Sequence, residues 1–172
     1  MSGQSGTIGS SQSYYNGPTN VSVLNQGAVL ANVAGGTITM NAQPLVNTGT
    51  LSLTNGGSLT LNYLASVTGL YATGGGTLTL NGNWTNNEPL TLNSGSLNFN
   101  GNWANNGTIN ATNTSISLGG NYSTAGLGGL NLSGGTVYLS GTLNNSNASL
   151  VLDGFTRESW YLNYGNLSLI HI

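Results

Sequence analysis

Short segments that alternate apolar with polar residues recur along the chain at a nearly constant spacing. Each opens with Ser or Thr and places apolar residues second and fourth, as in Thr77-Leu78-Thr79-Leu80 and Ser96-Leu97-Asn98-Phe99. A period of two predicts a strand with one buried face. The first apolar residues of these tetrads are Ile38, Leu59, Leu78, Leu97, Ile116, Val137 and Trp160, separated by 21, 19, 19, 19, 21 and 23 residues.

A second series of apolar-alternating segments lies between the tetrads, at 51–53, 70–72, 90–92, 109–111, 130–132, 150–152 and 167–169. Turns rich in Gly and Asn separate the two series, as at Asn81-Gly82-Asn83. Gly and Asn accept positive φ and so allow sharp corners. Asn residues stacked in such turns are expected to form ladders of side-chain amides.

These patterns predict an all-β fold, a single-stranded parallel β-helix or β-solenoid of roughly seven coils with about 19–21 residues each. The usual hand of parallel crossovers makes it right-handed. Each coil holds at least two strands. One coil buries too little apolar surface to fold alone, so stability must come from stacking.

The ends of the chain differ from the repeats. Residues 1–20 lack the tetrad and are predicted to form a polar leader or an N-terminal cap, and residues 21–172 the solenoid. The last residues, 167–172, still read as strand and offer no polar cap. Because an open strand edge invites pairing, we expect a fragment of a longer solenoid or an end that associates with like subunits. No apolar run is long enough for a membrane-spanning helix.

Charge is nearly absent. Only 2% of residues are charged, with one Lys or Arg against three Asp or Glu, whereas about 25% is usual. The chain therefore lacks the basic surface that nucleic-acid binding requires. It contains no Cys, which excludes disulfides and thiolate chemistry.

The titratable residues predict no enzyme, metal or cofactor. The acids Glu88, Asp153 and Glu158 lie in different coils or turns, and His171 lies beside the end of the sequence. Acid–base catalysis needs two such groups close together. Asp153, Arg157 and Glu158 form the only local grouping, which we interpret as a solvated turn. The Gly clusters lack the Asp of calcium-binding β-rolls.

Two columns of side chains are candidate binding features. Trp84, Trp103 and Tyr122 recur at steps of 19; we interpret them as a packing ladder at a corner, and an exposed column would instead suit glycan stacking. Outward positions of the tetrads form a hydroxyl array that resembles an ice-binding face. Its threonines are Thr37, Thr39, Thr60, Thr77 and Thr79. Ser and Asn interrupt the array, so ordinary solvated strand threonine is the plainer interpretation.

Three stretches carry a family resemblance: residues 75–84, 101–109 and 130–137. They resemble the repeat passengers of bacterial autotransporter-like adhesins and filamentous-haemagglutinin-type β-helices. The resemblance implies a structural or adhesive module, a rigid stalk or filament segment displayed outside the cell or on the bacterial surface. It also implies host or environmental glycans or protein surfaces as partners. The alternatives are a polysaccharide-binding or polysaccharide-degrading tailspike-like β-helix and an ice-binding solenoid.

Overall fold

The computed structural model of the chain describes residues 4–9, 21–146, 148–150, 159–162 and 167–168. These residues form β-strands and one short 3-10 helix, Ala125–Leu127, with no α-helix among them. The strands are β1 Gly6–Gly9, β2 Val23–Asn25, β3 Ala28–Ala31, β4 Thr37–Asn47, β5 Thr50–Leu53, β6 Ser58–Leu64, β7 Ser66–Val67, β8 Leu70–Thr73, β9 Thr77–Asn81, β10 Asn83–Asn86, β11 Leu90–Phe99, β12 Asn102–Asn105, β13 Thr108–Leu118, β14 Asn121–Ser123, β15 Gly129–Leu139, β16 Thr142–Asn144, β17 Ser159–Leu162 and β18 Leu167–Ser168.

Each coil has three faces. The tetrads form the first face, with the strand order β1-β4-β6-β9-β11-β13-β15-β17. The chain then turns at a glycine corner into the third face, built from β7, β10, β12, β14, β16 and β18. After a second corner it enters the second face, which contains the second series of alternating segments and is built from β3, β5, β8 and the first part of longer strands such as β11. The second face joins the next tetrad through a bend inside these longer strands. That bend has positive φ at Ser94 (63°) and Gly95 (99°).

Neighbouring coils pair in parallel and in register. Leu59 pairs with Leu78, Leu78 with Leu97, and Leu97 with Ile116. The predicted parallel β-solenoid is thus confirmed, with about six turns where the sequence indicated roughly seven. The right-handed coil stays a prediction.

The tetrads bury their apolar residues as the alternation predicts. Leu59, Leu78 and Leu97 are each 0% exposed, and the polar residues between them face outward. Apolar residues of the second face, such as Leu51 and Leu90, pack into the same interior. Aliphatic side chains one coil apart therefore share one continuous core, in which like side chain lies above like side chain.

One segment differs from its predicted position. Leu167 was expected on the second face, but it pairs with Leu143 of β16 and so lies on the third. The reason is that Leu167 follows Trp160 by only seven residues, close to the six that separate Val137 from Leu143, whereas a second-face residue such as Ile109 follows its tetrad residue Leu97 by twelve. Within residues 1–20, predicted as a polar leader or an N-terminal cap, β1 pairs with β4 and adds a rung to the first face. Residues 10–20, 151–158 and 169–172 lie outside the described residues. No helix among the described residues is long and apolar enough to cross a membrane.

Columns of glycine occupy the corners because the coils approach each other too closely there for a side chain. Gly101 has φ of +84°, and a Cβ built on it would lie 2.0 Å from the carbonyl oxygen of Gly82 in the coil beneath. Gly120 meets the oxygen of Gly101 in the same way, at 2.1 Å. At these corners the backbones of successive coils are thus in direct contact, and no space remains for a side chain.

We expect Gly101→Ala to destabilise the fold by at least about 2 kcal/mol, since it adds both an unfavourable φ and a clash with backbone. Gly27→Ala is the matched control, because Gly27 also lies at a corner yet has nothing within 4 Å of its built Cβ and no positive φ. Urea unfolding followed by circular dichroism measures both. Equal midpoints for the two variants would contradict the close stacking of the corners.

Candidate binding surfaces

The predicted aromatic column lies inside the solenoid. The rings of Trp84 and Trp103 are 5.4 Å apart at 5°, and those of Trp103 and Tyr122 are 4.6 Å apart at 16°. Phe99 makes an edge-type contact with each of the two indoles, with ring centroids 4.7 Å and 4.8 Å apart. Stacked and edge-on contacts of this kind stabilise beyond the area they bury. The geometry is that of a packing ladder.

The indoles are also held by hydrogen bonds to the adjacent corner. Trp84 Nε1 donates to the carbonyl of Asn100 at 3.3 Å, and Trp103 Nε1 donates to that of Gly119 at 2.8 Å. The exposed fractions of Trp84, Trp103 and Tyr122 are 3%, 6% and 5%. A depression of about 370 Å³ lies beside the column, but these fractions leave no ring face open to a sugar. We therefore assign the column no glycan.

Tyr122 continues the stack without the hydrogen bond of the indoles below it. Its hydroxyl is buried and has no hydrogen-bond partner. Burial raises the pKa of Tyr122 to about 12, because the charged phenolate would lose its hydration. The hydroxyl is thus a local cost within a column that otherwise packs well.

Tyr122 predicts a loss of stability at high pH. The folded protein holds this proton to about pH 12, whereas the unfolded chain releases it near pH 10. The free energy of unfolding should therefore fall as pH rises from about 10 to about 12, and this fall should be missing in Tyr122→Phe. Below pH 10, Tyr122→Phe should be neutral or more stable by up to about 1 kcal/mol. Urea titrations at several pH values measure both; an identical pH dependence in the two proteins would contradict the assignment.

Asparagine ladders run inside and outside the corners, as the turns predicted. The inner amides are buried: Asn86 and Asn105 are 2% and 0% exposed. Asn86 Nδ2 donates to Asn105 Oδ1 at 2.7 Å, and Asn105 Nδ2 donates to the carbonyl of Leu127 at 2.8 Å. Outer ladders join Asn62 with Asn81 at 2.7 Å and Asn83 with Asn102 at 2.9 Å. Amide stacking therefore ties successive coils together along the axis.

The hydroxyl array lies on the outer side of the first face. Thr39 pairs with Thr60, and Thr60 with Thr79, so these hydroxyls stand in one column. Thr37 and Thr77 belong to the neighbouring column, in register with Ser58 and Ser96. Asn98 follows Thr79 and donates to its Oγ1 at 3.4 Å. Farther along, Tyr138 and Tyr161 stack at 5.6 Å in the same column. The column carries Thr, Asn and Ser up to Ser117 and tyrosine beyond it, so its composition changes along the axis.

A concave site lies at the corner between the third and second faces, where the sequence predicted none. A cavity of about 360 Å³ is lined by two neighbouring coils. One coil contributes Thr68 and Tyr71, and the next contributes Asn86, Glu88 and Pro89. Tyr71 is 61% exposed. The signal that could have revealed the site is the departure of Tyr71 and Glu88 from the residues that other coils carry at those positions.

The remaining candidate residues of the sequence are only partly described. Glu88 is the one acidic residue among the described residues, while Asp153, Arg157, Glu158 and His171 lie outside them. Within the described part of the chain, no group of three or more His, Cys, Asp or Glu residues could hold a metal ion.

Comparison with known proteins does not assign the chain to a family. No family model matches the chain, and no curated protein and no solved structure matches it.

Proposed function

We propose that the chain is a structural module of a bacterial surface or secreted protein, a rigid stalk or filament segment that can also carry an adhesive face. One observation carries the proposal: parallel ladders run without interruption from β4 to β15 on the first face. Each coil is hydrogen-bonded to the next along the axis. Buried columns of Leu, Asn and aromatic rings also connect successive coils along this axis. Such a stack resists bending and adds length coil by coil.

Surface chemistry supports the same proposal. The outer positions of the tetrads from Thr37 to Ser117 carry Ser, Thr and Asn, and only 2% of the residues are charged. Such a surface is hydrated through amides and hydroxyls whatever the ionic strength, because it has few charges for salt to screen. The resemblance of residues 75–84 and 101–109 to adhesin β-helices points to the same extracellular setting.

If the chain is a rigid stalk, two labels attached several coils apart should be separated by one well-defined distance along the axis. The chain contains no Cys, so spin labels can be attached at Thr37→Cys and Thr136→Cys on the outer first face. Five coil steps separate these positions, which at 4.8 Å per step gives about 24 Å. Pulsed electron paramagnetic resonance should give one narrow distribution near that value. A broad distribution would contradict a rigid stalk.

The adhesive role is tested separately. Displayed on the outer surface of a non-adherent bacterium, the chain should increase attachment to glycan-coated surfaces relative to cells that carry the anchor alone. Unchanged attachment would remove the adhesive part of the proposal. Turnover of a polysaccharide by the purified chain would favour the depolymerase alternative instead.

A further inference from the structure

We propose that the corner cavity between Tyr71 and Glu88 is a glycan-binding site that takes one pyranose ring, uncharged or carrying an amine. This site would be the place on the solenoid where the proposed adhesive role is carried out, and in that respect it rests on the proposed function. The site's geometry does not depend on the stalk role.

Both residues depart from the repeat at their positions. Tyr71 lies on the outer second face, where four other coils carry the small polar residues Ser52, Thr91, Asn110 and Asn131 and the first coil carries Leu30. Glu88 lies in a corner column that is otherwise glycine, at positions 49, 69, 107 and 128. Departures from a local rule concentrate at functional sites. Here two departures from neighbouring coils line one cavity.

The corner that carries Glu88 is fixed by buried contacts. Asn86 is 2% exposed; its Nδ2 donates to the carbonyl of Glu88 at 2.7 Å, and its Oδ1 accepts the backbone N–H of Glu88 at 3.3 Å. Pro89 restricts the next φ. The carboxylate therefore projects from a backbone held by the core, which lowers the ordering cost of binding.

The two side chains offer complementary chemistry. The face of the Tyr71 ring carries negative potential and attracts C–H groups, which a pyranose presents on one side. The Glu88 carboxylate accepts hydrogen bonds, and charge-assisted bonds are about twice as strong as neutral ones. A sugar supplies the hydroxyl donors around its rim. The lining also includes Thr68 and Leu70, so polar and apolar groups meet in one concave site.

The size and charge of the site limit the kinds of sugar that it can bind. The cavity of about 360 Å³ is at the lower end for small-ligand sites, about 300 to 1,000 Å³, and suits a single ring. No basic side chain occurs among the described residues, so nothing there neutralises Glu88. An anionic sugar would be repelled, whereas a neutral sugar or an amino sugar would not.

The test is a titration of the isotope-labelled chain with glucose, galactose, mannose, N-acetylglucosamine and glucosamine, followed by amide NMR. At least one saccharide should shift the amides of Gly69, Tyr71 and Glu88, with a dissociation constant of about 1 mM. Choline serves as a non-sugar cation that could also occupy an aromatic site.

Two variants take the residues of neighbouring coils, so they should keep the fold: Tyr71→Thr, as at Thr91, and Glu88→Gly, as at Gly107. Each should weaken saccharide binding at least tenfold while leaving the unfolding midpoint near that of the parent chain. Tyr63→Asn is the matched control, since Tyr63 is an exposed tyrosine at another corner and Asn tolerates its positive φ of 62°. That variant should bind like the parent.

Several results would overturn the inference. The first is that none of the five saccharides shifts the amides at about 10 mM, ten times the expected dissociation constant. The second is full affinity in either Tyr71→Thr or Glu88→Gly, and the third is choline binding as tight as that of the best saccharide. Binding by glucosamine alone would support the site and assign Glu88 the ammonium group. None of these outcomes affects the distance between positions 37 and 136, so the stalk and the glycan site stand or fall separately.

Discussion

Parallel pairing in constant register is the constraint on which the rest of this molecule depends. It places each residue about 4.8 Å above its equivalent in the preceding coil, as Leu97 stands above Leu78. Every position along a coil therefore becomes a column, and its side chain must be one that tolerates a copy of itself as a neighbour. Leu, Asn and flat aromatic rings satisfy this condition through dispersion, amide pairing and stacking. Glycine satisfies it at corners where the backbones meet.

The same constraint explains the low charge. A charged residue repeated in each coil would place like charges about 4.8 Å apart. Their repulsion would be about 1 kcal/mol per pair in water and three to four times that near a protein surface. Asparagine provides polarity without this cost, because one amide can donate to the next, as Asn81 does to Asn62. The single acid among the described residues, Glu88, has no second charge above or below it in its column.

Sequence alone predicts the first and second faces because their buried residues are aliphatic and alternate with polar ones. The third face was not predicted as a strand. Its inward residues include Asn86 and Asn105, and a buried polar residue in a strand looks like an exposed one to any argument from hydropathy. The aromatic column was located correctly by its spacing. The corner cavity was not, because it depends on which coils are neighbours and on two residues that depart from the repeat.

Crosslinking of introduced cysteines tests the stacking most directly. Ser96 pairs with Ser115, and Ser115 pairs with Thr136, all on the outer first face. The pair Ser96→Cys and Ser115→Cys should oxidise to an intramolecular disulfide, since adjacent coils lie within the reach of about 7 Å that the bond allows. The pair Ser96→Cys and Thr136→Cys, two coils or about 9.6 Å apart, should stay reduced under the same conditions. Equal oxidation of the two pairs, or oxidation of the second pair alone, would contradict the stacked coil.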